Sequence, residues 1–283
     1  MKKYPIIIAG LITGWFLPQI VGDMSRLTVT RSEIRAKGLP KQFDGLKIVH
    51  LSDLHNKKYG ANDAILYRMI CDEDPDIVVM TGDMISHDGR NKEDFFGLVH
   101  RLGQKYPVFY VNGNHELSDM SAEEFRRYSA RMKEYGTVCL DNAGIVLSRG
   151  EDRIRLYGLS YPARFYRGVR EYKRRWSDFT LDDMRRYCGN APQDFSILLA
   201  HNPLDFDVHA EWGADVSFGG HIHGGFIRLP LVGGVVSPDL SLFPKYQSGI
   251  YHKGKSTLVV SRGLGRIRFF NPPELVSVTL KCK

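Results

Sequence analysis

The feature that most constrains this 283-residue chain is a succession of eight short apolar runs, most of them closed by a glycine or a polar residue. They are LKIVHLS (46–52), DIVVMTG (76–82), PVFYVNG (107–113), IRLYGLS (154–160), FSILLAH (195–201), ADVSFGG (214–220), STLVVSRG (256–263) and ELVSVTL (274–280). Runs of this length, rich in β-branched residues, read as strands buried on both faces. Upstream, RLTVTRSEI (26–34) alternates as an edge strand does, and KGLPKQFDG (37–45) is a turn-rich connector. Two segments between runs have helical spacing: NDAILYRMICDE (62–73) and SAEEFRRYSARMKEYG (121–136). The second opens on a capping-box pattern, Ser121 to Glu124, and stops at Gly136. Alternating strands and helices predict an α/β architecture. Less helix separates the later strands, which predicts a second, more antiparallel sheet.

The residues at the ends of these runs carry the chemistry. The first run leads into Asp53 and His55, the second into Asp83, and the third into Asn114, His115 and Glu116. The fifth ends on His201, and the sixth leads into His221 and His223. Open α/β sheets bind ligands beyond the carboxyl ends of their strands, so these groups can converge. Alternation along a strand would point Asp53 and His55 the same way, which leaves either a solvated strand end or half of a metal site. Singly, a Gly-Asp or Gly-Asn pair is a turn signal, and His50, inside a run, reads as a satisfied core residue. Five such ends in order exceed what turns require. The glycines before Asp83, Asn114 and His221 let the backbone turn sharply and approach a ligand closely. Carboxylate, amide and imidazole together suit manganese, iron or zinc. Two such ions share a bridging carboxylate, and the two aspartates leave the site electropositive, which favours a phosphate and a hydroxide nucleophile near neutral pH.

This ordered set resembles the calcineurin-like metallophosphoesterases: D-x-H at Asp53 and His55, G-D at Gly82 and Asp83, G-N-H-E from Gly113 to Glu116, His201, and G-H-x-H from Gly220 to His223. The similarity runs from about residue 45 to the C-terminus and fills every metal-ligand position of the pattern. Glu116 stands where many members have Asp. The segments LPKQFDGLKIVHLSDLH and SRGLG…NPPE are similar to a membrane-anchored bacterial branch that includes YkuE-like and UDP-2,3-diacylglucosamine-hydrolase-like proteins. The resemblance implies two packed mixed β-sheets flanked by helices, an α/β/β/α sandwich. It implies two divalent metal ions, manganese foremost, with iron, zinc, nickel, cobalt and magnesium as alternatives. Asp53, His55 and His223 would hold the first ion, and Asn114, His201 and His221 the second, with Asp83 bridging. His115 would touch the phosphate, as would Asn114, and protonate the leaving oxygen.

Composition bounds the rest. Hydrophobic residues are 43% and charged residues 25%, as in a globular domain. The net charge of +7 suits an anionic partner. Cys71, Cys139, Cys188 and Cys282 have no C-x-x-C spacing and read as unpaired. Behind Lys2 and Lys3, YPIIIAGLITGWFLPQIVG (4–22) is uncharged. Residues 1–23 are expected to be an uncleaved single-pass anchor in a bacterial cytoplasmic membrane, with a cleaved signal or a soluble-domain helix as alternatives. Residues 24–283 would then form the phosphoesterase domain. Within it, 160–188 is crowded with arginines and aromatics. That segment is either a solvated helical excursion or a basic lid whose Arg164 and Arg167 contact substrate.

The leading expectation is therefore a phosphoester or pyrophosphate hydrolase, with a lipid-linked substrate of the UDP-2,3-diacylglucosamine type. The alternative is a general phosphodiesterase or phosphomonoesterase for small or nucleotide substrates. A non-catalytic membrane scaffold is a remote third, because a scaffold should have lost ligands. No nucleic-acid partner is expected, since the basic residues form no stripe interleaved with stacking aromatics.

Overall fold

In this computed structural model the described residues are 26–86, 92–166, 177–229, 231–238, 241–265 and 269–283. The anchor expected over 1–23 lies outside them. Among the described residues no helix is long and apolar enough to cross a membrane.

The chain begins with β1 (Thr28–Ala36), β2 (Lys47–Leu51), β3 (Ile77–Met80), β4 (Val108–Tyr110) and β5 (Thr137–Cys139). It continues through β6 (Ala143–Arg149), β7 (Asp152–Leu159), β8 (Ser196–Ala200) and β9 (Val216–Gly219). It ends with β10 (Ile227–Leu229), β11 (Gly233–Val236), β12 (Gly249–Lys253), β13 (Ser256–Val260) and β14 (Glu274–Cys282). One sheet has the order β1-β14-β2-β3-β4-β5 and the other β12-β13-β9-β8-β7-β6, while β10 and β11 form a separate hairpin. The helices are α1 (Ala64–Glu73), α2 (Lys92–Gly103), α3 (Asn114–Ser118), α4 (Ala122–Glu134), α5 (Leu181–Cys188) and α6 (Phe206–Trp212).

Period-two alternation explains the layering. Ile48, Ile77 and Val79 face a core shared with Ile197, Leu199 and Phe218 of the other sheet. Their neighbours Val49, Val78 and Met80 turn the opposite way, onto Leu66 and Ile70 of α1, Phe95 and Val99 of α2, and Met132 of α4. Leu198 and Ala200 do the same for the second sheet, against Met184 of α5 and Trp212 of α6. Each fully buried Val, Leu or Ile contributes about 1.5–3 kcal/mol of transfer free energy, so both faces of these strands are strongly specified. The result is the four-layer α/β/β/α order.

Every one of the eight runs contains a strand, and β1 is an edge strand as its alternation indicated. The capping box is formed, with the Glu124 N–H donating to Ser121 Oγ and the Ser121 N–H donating to the Glu124 carboxylate. The second sheet has two antiparallel pairings, β6 with β7 and β12 with β13, against one in the first, β14 with β2. Both sheets have parallel centres. The second is therefore more antiparallel only at its edges.

Candidate metal centre

Parallel strands end on the same edge, so β2, β3, β4, β8 and β9 deliver the residues beyond their ends to one place. There, ligand atoms of Asp53, His55, Asp83 and His223 all lie within 4.8 Å of one another, and so do those of Asp83, His201 and His221. Asp83 belongs to both clusters. The Asp53 carboxylate is 3.1 Å from His223 Nε2 and 3.9 Å from His201 Nε2. Asp83 Oδ2 is 3.3 Å from His201 Nε2 and 3.8 Å from His55 Nε2. Asp53, Asp83 and His201 are fully buried.

One expectation needs correction. Asp53 and His55 do not share a face by strand alternation, because β2 ends at Leu51. Both lie in the left-handed region, with φ of 51° and 48°, as do Asp83 (54°), His221 (65°) and His223 (54°). Backbone of this kind is costly for residues with a Cβ and persists where the surroundings over-determine it. Here backbone bonds between the strand ends hold it: the Asp53 N–H donates to the Gly82 carbonyl (3.0 Å) and the His55 N–H to the Asp83 carbonyl (3.0 Å). Two glycines are required by proximity. A Cβ at Gly113 would collide with the Asp83 carboxylate, and one at Gly220 with Ser52 and the Asp53 carboxylate.

The donor set fits metal ions. Asn114 Oδ1 and His201 Nε2 are buried without a hydrogen-bond partner among the described residues. His55 Nε2 and His223 Nε2 face each other at 3.2 Å, an arrangement that a cation between them would relieve. Outer partners set the tautomers as metal-binding histidines require. His201 Nδ1 donates to the Thr81 carbonyl (2.6 Å), leaving Nε2 toward the cluster. His55 Nδ1 pairs with Ser86 Oγ (3.0 Å). Burial lowers the pKa of His55 to about 3 and of His221 to about 4, so both are neutral imidazoles, the form a metal ion requires. Burial also opposes charge on His201, but the Asp83 and Asp53 carboxylates and the Thr81 carbonyl override it and raise its pKa to about 9. The two aspartates stay ionised against their own burial. His223 and His201 hold Asp53 below the usual carboxylate range, and His201 and His115 do so for Asp83.

His115 lies at the rim, its ring edge-on to His55 with centroids 4.8 Å apart. Its backbone N–H donates to Asp83 Oδ1 (2.9 Å), and its Nε2 is 4.0 Å from Asp83 Oδ2. Its Nδ1 meets Asp119 Oδ2 at 2.7 Å, one helical turn along α3. Burial lowers the His115 pKa, but Asp83 and Asp119 outweigh it and the net shift is upward. His50 is buried as expected, its Nε2 2.7 Å from Thr81 Oγ1, although its Nδ1 has no partner among the described residues.

Three further residues shape the site, of which the sequence singles out Glu116 alone, as part of G-N-H-E and without a role. Asp119 is the His115 partner, and its i+4 spacing on a short helix is the one available hint. Glu116 is the second. Fully buried, it accepts the backbone N–H groups of Asp83 (2.8 Å), Met84 (2.7 Å) and Gly113 (2.9 Å) and so fastens the β3 and β4 loops together. The third is Tyr166, whose ring is 5.2 Å from His221 and 6.0 Å from His201. It is fully buried and its hydroxyl has no hydrogen-bond partner among the described residues. Burial, then Asp83 and Glu116, raise its pKa well above the ordinary phenol value, so it is a donor.

Tyr166 also revises the picture of 160–188. The aromatics Tyr161, Phe165, Tyr166 and Phe179 are core, packed with Leu198 and Trp212. Arg164 donates to the Tyr187 hydroxyl (3.2 Å) and lies over the Phe165 ring, so a substrate would have to compete for it. Arg167 and the rest of 167–176 lie outside the described residues.

Similarity to known proteins agrees with this geometry. The chain is 25% identical to the uncharacterized metallophosphoesterase YkuE of Bacillus subtilis (strain 168) over 269 residues, covering 90% of this chain and 86% of that protein. It is 25% identical to the phosphodiesterase YaeI of Escherichia coli (strain K12), covering 78% and 76% respectively. It is 26% identical to the UDP-2,3-diacylglucosamine pyrophosphatase LpxG of Chlamydia muridarum (strain MoPn / Nigg), covering 95% and 93%. Residues 46–225 match the calcineurin-like phosphoesterase family. That span begins one residue before β2 and ends just past His223, so it takes in every residue of both clusters, and the chain belongs to the calcineurin-like phosphoesterases.

Proposed function

We propose that this metallophosphoesterase is a dinuclear hydrolase of membrane-resident phosphoesters or pyrophosphates, with Asp53, His55 and His223 on one ion, Asn114, His201 and His221 on the other, and Asp83 on both. The observation that carries this reading is the Asp83 carboxylate shared by two ligand clusters. Bound there, the pair of ions would supply Lewis acidity and a nucleophilic hydroxide near neutral pH. The chain's own residues do the rest. Asp53 and Asp83 would set only two negative charges against two divalent ions, so the loaded centre would stay electropositive and attract a phosphate. His115, whose pKa Asp83 and Asp119 raise, orients one phosphate oxygen and gives a proton to the leaving group from Nε2. The buried Tyr166 hydroxyl is a second donor toward the substrate. The Asn114 amide orients the phosphate from the same strand end, beyond β4. Manganese is the metal this reading favours among the several that a carboxylate, amide and imidazole set accepts.

The membrane-resident substrate rests on the uncharged stretch 4–22, on the net charge of +7, and on similarity to a UDP-2,3-diacylglucosamine pyrophosphatase. Similarity to a phosphodiesterase favours a second reading, a general phosphodiesterase. The full chain in detergent with Mn²⁺ distinguishes them. Offered UDP-2,3-diacylglucosamine in mixed micelles, it is expected to release UMP, seen by ³¹P NMR. Hydrolysis of bis-p-nitrophenyl phosphate with no UMP release would reject the lipid substrate and leave the general phosphodiesterase.

A further inference from the structure

We propose that the edge carrying the metal centre is also a lipid-docking face, in which the β10–β11 tip and the loop 241–243 insert their apolar side chains into a bilayer. Ten large hydrophobic side chains are exposed among the described residues, and seven of them are Ile227, Leu229, Leu231, Val232, Leu242, Phe243 and Phe269. They form one patch. Ile227 bridges to Phe269, Val236 bridges to Leu242, and the Phe243 N–H donates to the Val235 carbonyl (2.9 Å). Leu231 is as exposed as a residue can be, at 108%, and Leu242 is 68% exposed. Soluble surfaces scatter such residues singly, and a cluster of them marks an interaction site.

Two observations identify a bilayer as the occupant. The first is where the uncharged stretch 4–22 joins the fold. Strand β1 is parallel to β14, with Thr28 opposite Glu274, and β14 is antiparallel to β2, with Val276 opposite His50. The start of β1 therefore lies on the same edge as Asp53 and His55. The Thr28 N–H donates to the Pro273 carbonyl, and Asn271, two residues before, donates to the carbonyls of His223 and Gly225 at the root of the hairpin. The first described residues, the apolar tip and the metal centre thus share one edge. The second observation is charge. Residues 226–270 contain seven Lys or Arg and one acid, Asp239. Lys245, Lys253, Lys255 and Arg262 pair with Asp207, Asp215 and Glu274, and Arg228 of β10 stands in the hairpin itself, a basic side chain in an apolar surface of the kind that meets anionic headgroups. The inference deepens the membrane-resident reading above and rests on it: a lipid phosphate would reach Asp83 without leaving its leaflet.

The test measures contact without requiring turnover, so its failure is separate from failure of the hydrolase reading. The full chain, reconstituted in 3:1 phosphatidylcholine–phosphatidylglycerol vesicles, carries a fluorophore on Leu231→Cys or on Val146→Cys. Val146 is an exposed position on β6, the far edge of the second sheet. The unsubstituted chain, with its four half-buried cysteines, is the blank. The label at 231 is expected to be quenched by lipid-borne nitroxide and shielded from aqueous iodide, and the label at 146 to show the reverse. Equal iodide quenching at both sites would overturn the proposal. Shielding at 231 without nitroxide quenching would also overturn it, and would point to a second copy or the chain's own first residues as the cover. With Leu231→Asp, Val232→Asp and Phe243→Asp combined, nitroxide quenching should be lost while bis-p-nitrophenyl phosphate turnover is unchanged.

Discussion

The two sheets contribute different chemistry to one centre. The first supplies both carboxylates, Asp53 and Asp83, with His55, Asn114 and His115 beside them. The second supplies imidazoles alone: His201, His221 and His223. The first cluster takes three ligands from the first sheet and one from the second, and the other takes Asp83 from the first and two histidines from the second. Each cluster draws on both sheets. On the proposed assignment the anionic half would fix the charge of the site, the imidazole half would complete its coordination, and metal binding would tie together two sheets otherwise joined by their apolar core.

Removing Asp83 breaks both clusters at once. Asp83→Ala is expected to abolish turnover and both high-affinity metal sites while the circular dichroism spectrum is kept. Substantial turnover by that variant would refute the shared carboxylate. His221→Ala and His55→Ala test the halves separately. Each should leave one ion per chain by elemental analysis and lose hydrolysis, and retention of two ions in either would mean that the assigned ligand is not one. Chelation sharpens the same contrast. An ion held at 100 times its Kd stabilises the folded chain by about 2.7 kcal/mol, so EDTA should lower the melting temperature. An unchanged melting curve would show that the ions do not link the sheets.

The eight runs made the strands legible because burial on both faces leaves a continuous apolar signature. The candidate metal-holding residues were legible because each stands at or just beyond the end of a run. Other parts were not. β6 alternates exposed and half-buried residues, and its Ile-Val-Leu stretch, three residues long, is too short to stand out as a run. β10 and β11 have three and four residues and an exposed tip, so no core dictates their pattern. Asp119 and Tyr166 act through spatial proximity that sequence spacing does not encode. Arg164 drew attention by its charge, yet it is Tyr166, two residues on, that reaches the histidines.

Finer variants probe the rim where the anionic half meets substrate. Asp119→Asn removes a carboxylate that raises the His115 pKa. The His115 proton should then be lost at lower pH, so the alkaline limb of the kcat–pH profile moves down, with roughly a 10–100-fold loss in rate. A limb that moved up, or not at all, would mean that Asp119 does not govern the acid. His201 gives the imidazole half its own pH signature. Its pKa of about 9 means that metal entering below that pH must displace its proton, so affinity should weaken as pH falls. Pairs of buffers with different ionisation heats would reveal this release in calorimetry, and equal heats would contradict it. Tyr166→Phe deletes one hydrogen bond, worth about 0.5–1.5 kcal/mol, and should slow kcat by roughly 2–10-fold with metal content unchanged. A loss of metal instead would assign the tyrosine to packing of His221.

The most direct measurement is electron paramagnetic resonance of the Mn²⁺-loaded full chain beside its elemental analysis. Two ions per chain with an exchange-coupled multiline spectrum, collapsing to an uncoupled six-line signal in Asp83→Ala, is the expected result. One ion per chain, or two uncoupled ions in the unaltered chain, would contradict a centre built across both sheets on Asp83.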